Sequence, residues 1–546
     1  MIIFRENPIS FAIYTEKHAD YCAQCCTSST ENTRLQRCSK CQFSYYCNRE
    51  CQKLDRKLHR YECELLAAVN PLYPPATIRL AAQIILLEYY GAIPSSSDCI
   101  SSADSRINFS NRMRRRTLSD LLSHCCQISN DRSRMSKFAD MVLLLTKYVE
   151  PAIANLDNIK SRPDLFELYG KLLINAVHVT DDRRPYSISI GIALYLNFSA
   201  LDHSCMPNAC YAFDGRQVAV YNLHKDSFAA DLSDFRINYI PLLQSRSERN
   251  AALSSQYYFD CQCQACLDDH RDCRMTMAAR CLSCDGVAMP VRGTRKSLSS
   301  IDNSLGFDGI ENSLSNESVE SGCHGQECVS DAFRCENCYA HYPSNRFSSA
   351  LESSRLLLSE ITKQVAANGR FQDSEFKQYR DIKSCLASVN IILARCAKKL
   401  SDLLVVEKTS QSSDDSWDSN ESVMMSLQRA VLLGQDELRA MRSYYPPHHS
   451  SIVSLLVLVG MRSGTLGNYL AAQQGSTYSK RLAAICASDD LMWLTCRTAD
   501  EAYCEAERCL TEASESGIEV YGATYPLLPL IKDSLVEIRE RRVLIQ

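Results

Sequence analysis

Residues 22–63 read CAQCCTSSTENTRLQRCSKCQFSYYCNRECQKLDRKLHRYEC, and eight of these side chains decide how the rest is read. They fall into four pairs: Cys22 with Cys25, Cys38 with Cys41, Cys47 with Cys51, and His59 with Cys63. Thiolate and imidazole are the ligands zinc prefers, and four to an ion close a structural site. Four pairs therefore imply two ions. The i, i+4 spacing of Cys47/Cys51 and His59/Cys63 puts each pair on one face of a helix. A segment this small holds no core of its own, whereas structural zinc supplies roughly 10–16 kcal/mol in finger peptides. An interleaved arrangement is expected, with Cys22, Cys25, Cys47 and Cys51 on one ion and Cys38, Cys41, His59 and Cys63 on the other. Cys26 is the expected spare.

Outside this segment the bulk properties narrow the choice. The chain has 546 residues, 45% of them hydrophobic, and a net charge of −4, so nothing draws it generally toward nucleic acid or anionic membrane. No basic recognition helix accompanies the cluster, and direct nucleic-acid binding is not expected. The basic run Arg112 to Arg116, broken only by Met113, reads as a solvated helix face. No charged-then-apolar leader opens the chain, so secretion is not expected. The apolar stretches Leu80–Leu87 and Ile452–Met461 fall short of the ~20 residues of a spanning helix. A soluble intracellular monomer is the expectation, in which 29 cysteines point to metal rather than disulfides.

Along the chain, residues 1–21 include the strand-like Ile2-Ile3-Phe4 and then Pro8, and 64–173 read as a helical linker or insertion. Residues 174–259 are β-like, with alternation such as Gln217-Val218-Ala219-Val220-Tyr221. Residues 260–345 are cysteine-rich and contain a Ser/Asn/Gly-rich insertion at about 295–322 that reads as disordered. From 346 to 546 the pattern is helical. Ile382, Cys385, Leu386, Val389, Ile392, Leu393, Cys396, Leu400 and Leu403 keep a three-four spacing along one predicted face, and Thr409–Ser422 is a polar break before the next helix.

A second constellation lies downstream: Asp202-His203-Ser204-Cys205-Met206-Pro207-Asn208, then Ile237-Asn238-Tyr239, then Cys261-x-Cys263-x2-Cys266. Three cysteines within six residues are three-quarters of a tetrahedral site, and Cys205 is the natural fourth ligand. Beyond them, Cys281-x2-Cys284 and Cys335-x2-Cys338 flank the Ser-rich insertion like the two knuckles of a lengthened zinc ribbon, with Cys323, His324 and Cys328 as alternative ligands. Three zinc ions are expected, with a fourth at these knuckles.

With its finger ahead of a His-Ser-Cys-x-Pro-Asn motif, a tyrosine and a Cys-x-Cys-x2-Cys tail, the sequence resembles the SMYD family of SET-domain lysine methyltransferases. The resemblance runs over essentially the whole chain, including Tyr73-Pro74-Pro75 and Tyr444-Tyr445-Pro446-Pro447-His448-His449. It implies an α+β fold: a SET β-fold with an inserted MYND finger, a cysteine-rich post-SET region and a carboxy-terminal helical domain like tetratricopeptide repeats. It also implies S-adenosylmethionine as cofactor and a lysine of a histone or other protein, in nucleus and cytoplasm, as substrate. MYND fingers elsewhere bind proline-rich peptides, so such partners are implied too. Carried over residue by residue, Asn175, Ser199, Leu201, Asp202, His203, Tyr239 and Phe259 line the cofactor site, with His124 near it. Tyr239 is then the active-site tyrosine and Tyr257 lines the lysine channel.

Three departures from the family pattern shape the expectations. The sequence starts after the Gly-containing strand with which the family cradles its cofactor, so either the sequence is truncated at its amino end or the cofactor pocket lacks one wall. Asp202 stands where the family has Asn; its carboxylate accepts a hydrogen bond but has no amide to donate. Leu232-Ser233-Asp234-Phe235 replaces the usual Gly-Glu-Glu before the catalytic strand.

Overall fold

The computed structural model describes residues 2–29, 34–94, 116–150, 164–186, 188–224, 231–291, 332–410, 417–472 and 496–545. Arg112 to Arg115, the insertion at 295–322, and Cys323, His324 and Cys328 lie outside these residues. Two compact units emerge, one formed by residues 1–272 and 401–546, the other by 273–400.

In the first unit, strand β1 (Ile2–Glu6) pairs antiparallel with β9 (Gln217–Asn222), which pairs with β8 (Ala209–Asp214). A second sheet joins β2 (Ser10–Ile13), β6 (Ser189–Leu194) and β5 (Val177–Thr180) in that order, β6 being antiparallel to both neighbours. Their inward residues, among them Phe4, Phe11, Val179, Ile190, Val218 and Val220, form one buried cluster. Alternation along these strands turns one face of each to that cluster. Gly191 sits where β2 runs closest, since a Cβ there would lie 2.6 Å from the Ala12 carbonyl.

Between the sheets' strands the chain inserts the finger, whose hairpin is β3 (Gln36–Arg37) and β4 (Tyr45–Tyr46). Helix α1 (Arg49–Ala68) follows, its amino end capped by Asn48 Oδ1, which accepts from Cys51 N at 2.9 Å. Helix α2 (Ala76–Tyr89) is buried almost throughout, consistent with its apolar run. A short parallel pair, β7 (Asp202–His203) with β10 (Arg236–Ile237), crosses the end of the unit.

The carboxy-terminal part is helical: Trp417–Tyr444, Ser450–Ala472, Ala499–Ser516 and Leu528–Ile545. The helix Ser450–Ala472 is, among the described residues, long and apolar enough to cross a membrane. The apolar stretch Ile452–Met461 is less than half of this helix, which continues through Arg462 and the small residues Ser463, Gly464 and Gly467. Most of its apolar surface is covered by its neighbours: Gly460 abuts Leu510, Gly464 abuts Ile538 and Gly467 abuts Tyr503. Small residues at this spacing let helices approach closely, as the core of a helical array requires.

The second unit has an antiparallel sheet of four strands in sequence order, β11 (Ala279–Arg280), β12 (Val287–Pro290), β13 (Ala332–Cys335) and β14 (His341–Pro343), followed by helices. The apolar spacing from Ile382 to Leu403, read as one face, is divided between two helices, Asp373–Cys385 and Ile391–Ser410. Asn390 causes the division. Its Oδ1 accepts from the Ile392 and Leu393 amides as an N-cap does, while its Nδ2 donates to the carbonyls of Thr276 and Ala278. The α+β expectation stands: sheets, finger, cysteine-rich region and carboxy-terminal helices are all present.

Candidate metal centres and candidate active site

Four side-chain tetrads gather ligand atoms within 4.8 Å of one another: Cys22/Cys25/Cys47/Cys51, Cys38/Cys41/His59/Cys63, Cys205/Cys261/Cys263/Cys266 and Cys281/Cys284/Cys335/Cys338. The finger pairs are thus interleaved, first with third and second with fourth. Cys26 stays out of the tetrads and is buried among the strand residues, where burial pushes its thiol up to about 12.

The separations test whether zinc fits. A tetrahedron with Zn–S of 2.3 Å has edges of about 3.8 Å, whereas a disulfide needs about 2.0 Å. The sulfurs of Cys25 and Cys47 are 3.5 Å apart, those of Cys38 and Cys63 3.9 Å, and Cys41 Sγ is 3.7 Å from His59 Nε2. Cys205 lies 4.0 Å from Cys261 and 3.6 Å from Cys266, Cys281 3.5 Å from Cys338, and Cys284 3.6 Å from Cys335. Every separation suits a shared ion and none suits a sulfur–sulfur bond.

The backbone repeats the same device. The residue after the second cysteine of four separate C-x2-C pairs has positive φ: Cys26 (54°), Gln42 (59°), Asp285 (56°) and Tyr339 (60°). Left-handed backbone is unfavourable for side chains with a Cβ and persists only where the surroundings impose it. Here it turns the chain so both sulfurs face one point. Backbone amides then point at sulfur, Ser283 N to Cys281 Sγ and Asn337 N to Cys335 Sγ, each at 3.4 Å. Ser44 Oγ lies 3.3 Å from His59 Nδ1 and fixes the ring so that Nε2 faces its tetrad.

The tetrad built on Cys205 carries a further feature, the guanidinium of Arg249, 1% exposed. Its Nη2 donates to Cys266 Sγ at 3.7 Å and to the Ala265 carbonyl at 3.5 Å. Four thiolates on a divalent ion leave two negative charges, and a buried cation beside them offsets part of that charge.

Against this tetrad stand the residues expected to handle a methyl donor. His203 Nε2 lies 3.3 Å from Cys205 Sγ, and its Nδ1 accepts from the Tyr239 amide at 3.0 Å. The Tyr239 hydroxyl donates to the Leu201 carbonyl. Ring centroids of Tyr239 and Tyr257 are 4.8 Å apart, His203 and Tyr239 5.4 Å, His203 and Phe259 6.1 Å. The parallel pairing of β7 with β10 sets this out, continued by Ser204 N to the Ile237 carbonyl at 2.9 Å. Asn208 braces the same strand, donating to the Asp234 carbonyl and accepting from the Arg236 amide.

The remaining expected residues lie along one edge. Asn175 spends its amide N–H groups on the carbonyls of Leu122 and Lys171, both at 2.8 Å, and its own carbonyl accepts from Ser199 Oγ at 3.5 Å. His124, two residues beyond Leu122, packs its ring on Tyr258 at 5.4 Å. Asp202 points outward, its side chain 71% exposed, with Arg236 at 3.7 Å. Leu232–Asp234, part of the stretch that departs from the family pattern, forms a capped 3-10 turn closed by Asp231.

Comparison with known proteins bears on the finger and on the relatives of the chain. The MYND finger family matches residues 22–63. Human "Histone-lysine N-methyltransferase SMYD3" is 26% identical over 274 residues, which is 50% of this chain and 58% of that protein. Zebrafish (Danio rerio) "N-lysine methyltransferase SMYD2-A" is 25% identical over 279 residues, 50% of this chain and 56% of the relative. "SET domain-containing protein 14" of Caenorhabditis elegans is 30% identical over 275 residues, 50% and 56% respectively. Residues 22–63 are thus a MYND finger, and the chain is similar to proteins named as SMYD methyltransferases. It spans about half the length of the curated relatives it matches.

The chain also contains a residue that spacing does not reveal. Glu6, fully buried, receives the amides of Leu196, Asn197 and Phe198 at 2.8–3.1 Å and so holds the turn leading into Ser199–His203. Burial pushes its carboxyl up to about 7, against the lowering effect of those donors. A folded-state pKa above the unfolded one means stability present at low pH and lost as pH rises through about 7. Between pH 6 and pH 8 this amounts to roughly 1 kcal/mol. Denaturant unfolding at the two pH values should therefore show a drop in wild type that Glu6→Gln lacks; an equal drop in both would exclude Glu6 as its source.

Proposed function

We propose that this protein is an S-adenosylmethionine-dependent protein-lysine methyltransferase, acting on histone or other proteins of nucleus and cytoplasm. The observation that carries the reading is the convergence of Leu201, His203, Tyr239, Tyr257 and Phe259 on one spot walled by the Cys205 tetrad. Zinc in the four tetrads would be structural: each ion takes four protein ligands and keeps no open position for chemistry.

When bound, S-adenosylmethionine supplies an electrophilic methyl group on a positive sulfonium. Asn175, Ser199, Leu201, Asp202, His203, Tyr239 and Phe259 would hold it, with Asp202 offering an acceptor and Phe259 an aromatic face. The chain's own residues do the rest. A lysine amine must arrive neutral, yet with a pKa near 10.4 fewer than about one in a thousand is neutral at pH 7. Tyr239 and Tyr257, both half-buried, form an aromatic wall that favours the uncharged amine. Burial, reinforced by the Asp202 carboxylate, raises the Tyr239 phenol above its ordinary value, so it stays protonated and orients the amine as a hydrogen-bonding group. The finger, with its own two ions, would recruit proline-rich peptides.

The outward-facing Asp202 and the capped turn at Leu232–Asp234 favour a second reading, a zinc-bound scaffold that recruits partners without turnover. Calorimetric titration of S-adenosylmethionine into zinc-loaded protein, followed by transfer of labelled methyl to core histones, separates the two. Micromolar binding with transfer is expected. Absence of binding would overturn the methyltransferase reading and leave the scaffold.

A further inference from the structure

The loop Tyr445–His449, ahead of the helix Ser450–Ala472, reaches the strand end that carries Tyr239. His449 is buried and accepts the Ser451 amide on Nδ1 at 3.2 Å, which leaves the proton on Nε2. That nitrogen donates to Asn238 Oδ1 at 3.0 Å. Asn238 in turn donates from Nδ2 to the Ile240 carbonyl at 3.2 Å, so its side chain brackets the backbone on both sides of Tyr239. Two residues on, the Leu242 amide donates to the Tyr445 hydroxyl at 3.2 Å, and the Tyr445 ring packs edge-on against His449 at 5.0 Å. On its other side Tyr239 is fixed by His203 and Leu201.

We infer that His449 is a positioning residue for Tyr239, acting through the Asn238 side chain, so that the carboxy-terminal helical segment sets the geometry of the reactive tyrosine; as a statement about turnover this rests on the methyltransferase reading. The ring suits the task. It is rigid, its two nitrogens are both committed, and burial pulls its pKa down to about 4, which keeps it neutral with one donor and one acceptor at physiological pH. An imidazolium would have to donate from Nδ1 toward the Ser451 amide, which offers only a proton.

Three variants of the full zinc-loaded chain test this: His449→Phe removes the donor and keeps a ring, His449→Gln keeps a donor and an acceptor, and Asn238→Ala removes the receiving group. Hydrogen-exchange mass spectrometry of the peptide covering residues 236–242 is read first, because it needs no activity. Exchange there should rise about tenfold in His449→Phe and Asn238→Ala, remain near wild type in His449→Gln, and rise no further in the double variant. Turnover should fall about tenfold in the first two with S-adenosylmethionine affinity unchanged within twofold, and recover in His449→Gln. Unchanged exchange over 236–242 in both His449→Phe and Asn238→Ala would overturn the proposal, as would equal damage in His449→Gln and His449→Phe. Should His449→Phe fail to fold, the comparison of Asn238→Ala with His449→Gln decides alone. A wild type without turnover but with the expected exchange pattern would overturn the methyltransferase reading and uphold the positioning role.

Discussion

Cys47→Ser should lower the zinc content of the purified protein from four equivalents to three and unfold far more than a surface finger. Cys47 sits 3.5 Å from Cys25 within its tetrad, and a serine hydroxyl is a poor replacement for a zinc-bound thiolate. Structural ions of this kind contribute about 10–16 kcal/mol in isolated fingers. The loss propagates because α1 carries ligands of both finger tetrads, Cys51 for one and His59 with Cys63 for the other. Asp55, on the same helix, accepts from Tyr46 and pairs with Arg216 beside the strands, at 2.8 and 2.7 Å. Glu62, also on α1, is buried with Arg79 at 2.8 Å, and Gln83 and Tyr148 donate to it as well. The Arg79 guanidinium lies over Phe43 and bonds the Ile13 carbonyl of β2. A cavity of about 30 Å³ bordered by Phe43, His59, Glu62, Arg79 and Gln83 lies beneath the finger. Removing the ion next door leaves this buried charge network without its scaffold, and breaking a buried pair costs about 3–5 kcal/mol. A fall in melting temperature of about 10 °C or more should accompany the lost equivalent. Elemental analysis showing four equivalents in the variant would refute the ligand assignment.

How much of this was legible follows from the kind of signal each feature leaves. Paired cysteines advertise themselves because both members of a knuckle must lie within a few residues of one another. The interleaving of Cys22/Cys25 with Cys47/Cys51, and the joining of Cys205 to the Cys261 cluster, could therefore be anticipated, and the geometry brings those atoms together. Glu6, Arg249 and His449 left no such mark. Each is a single polar residue whose partner lies far along the chain, as Glu6 lies from Asn197 and His449 from Asn238. Nothing local distinguishes a buried carboxylate that ties a turn from one on the surface. The one weak hint is the paired His448-His449 after Tyr444-Tyr445-Pro446-Pro447, whose spacing points to no chemistry. The divided helix near Asn390 has the same origin: apolar spacing continues through the break, and only the asparagine's hydrogen bonds reveal the cap.

Tyr239→Phe should cut methyl transfer by about 100-fold while leaving S-adenosylmethionine affinity within threefold and the fold nearly intact. Removing one well-placed hydrogen-bond donor from a dry site typically costs 10²–10³ in turnover, whereas the single hydrogen bond to the Leu201 carbonyl is worth about 1 kcal/mol of stability. A phenyl ring preserves the packing on Tyr257 and His203, and the Tyr239 amide still donates to His203 Nδ1. The loss should thus fall on turnover alone, the signature of a contact that matters more in the transition state than in binding. Turnover within threefold of wild type would refute the role. The direction of the phenol's pKa adds a second constraint. Because burial raises it, Tyr239 remains a donor through the neutral and mildly alkaline range and cannot act as the base that deprotonates lysine. The rise of rate with pH should therefore survive in Tyr239→Phe at reduced height, since that rise belongs to the arriving amine. A rise that vanished with the hydroxyl would assign the proton transfer to Tyr239 instead and change the chemistry the site performs.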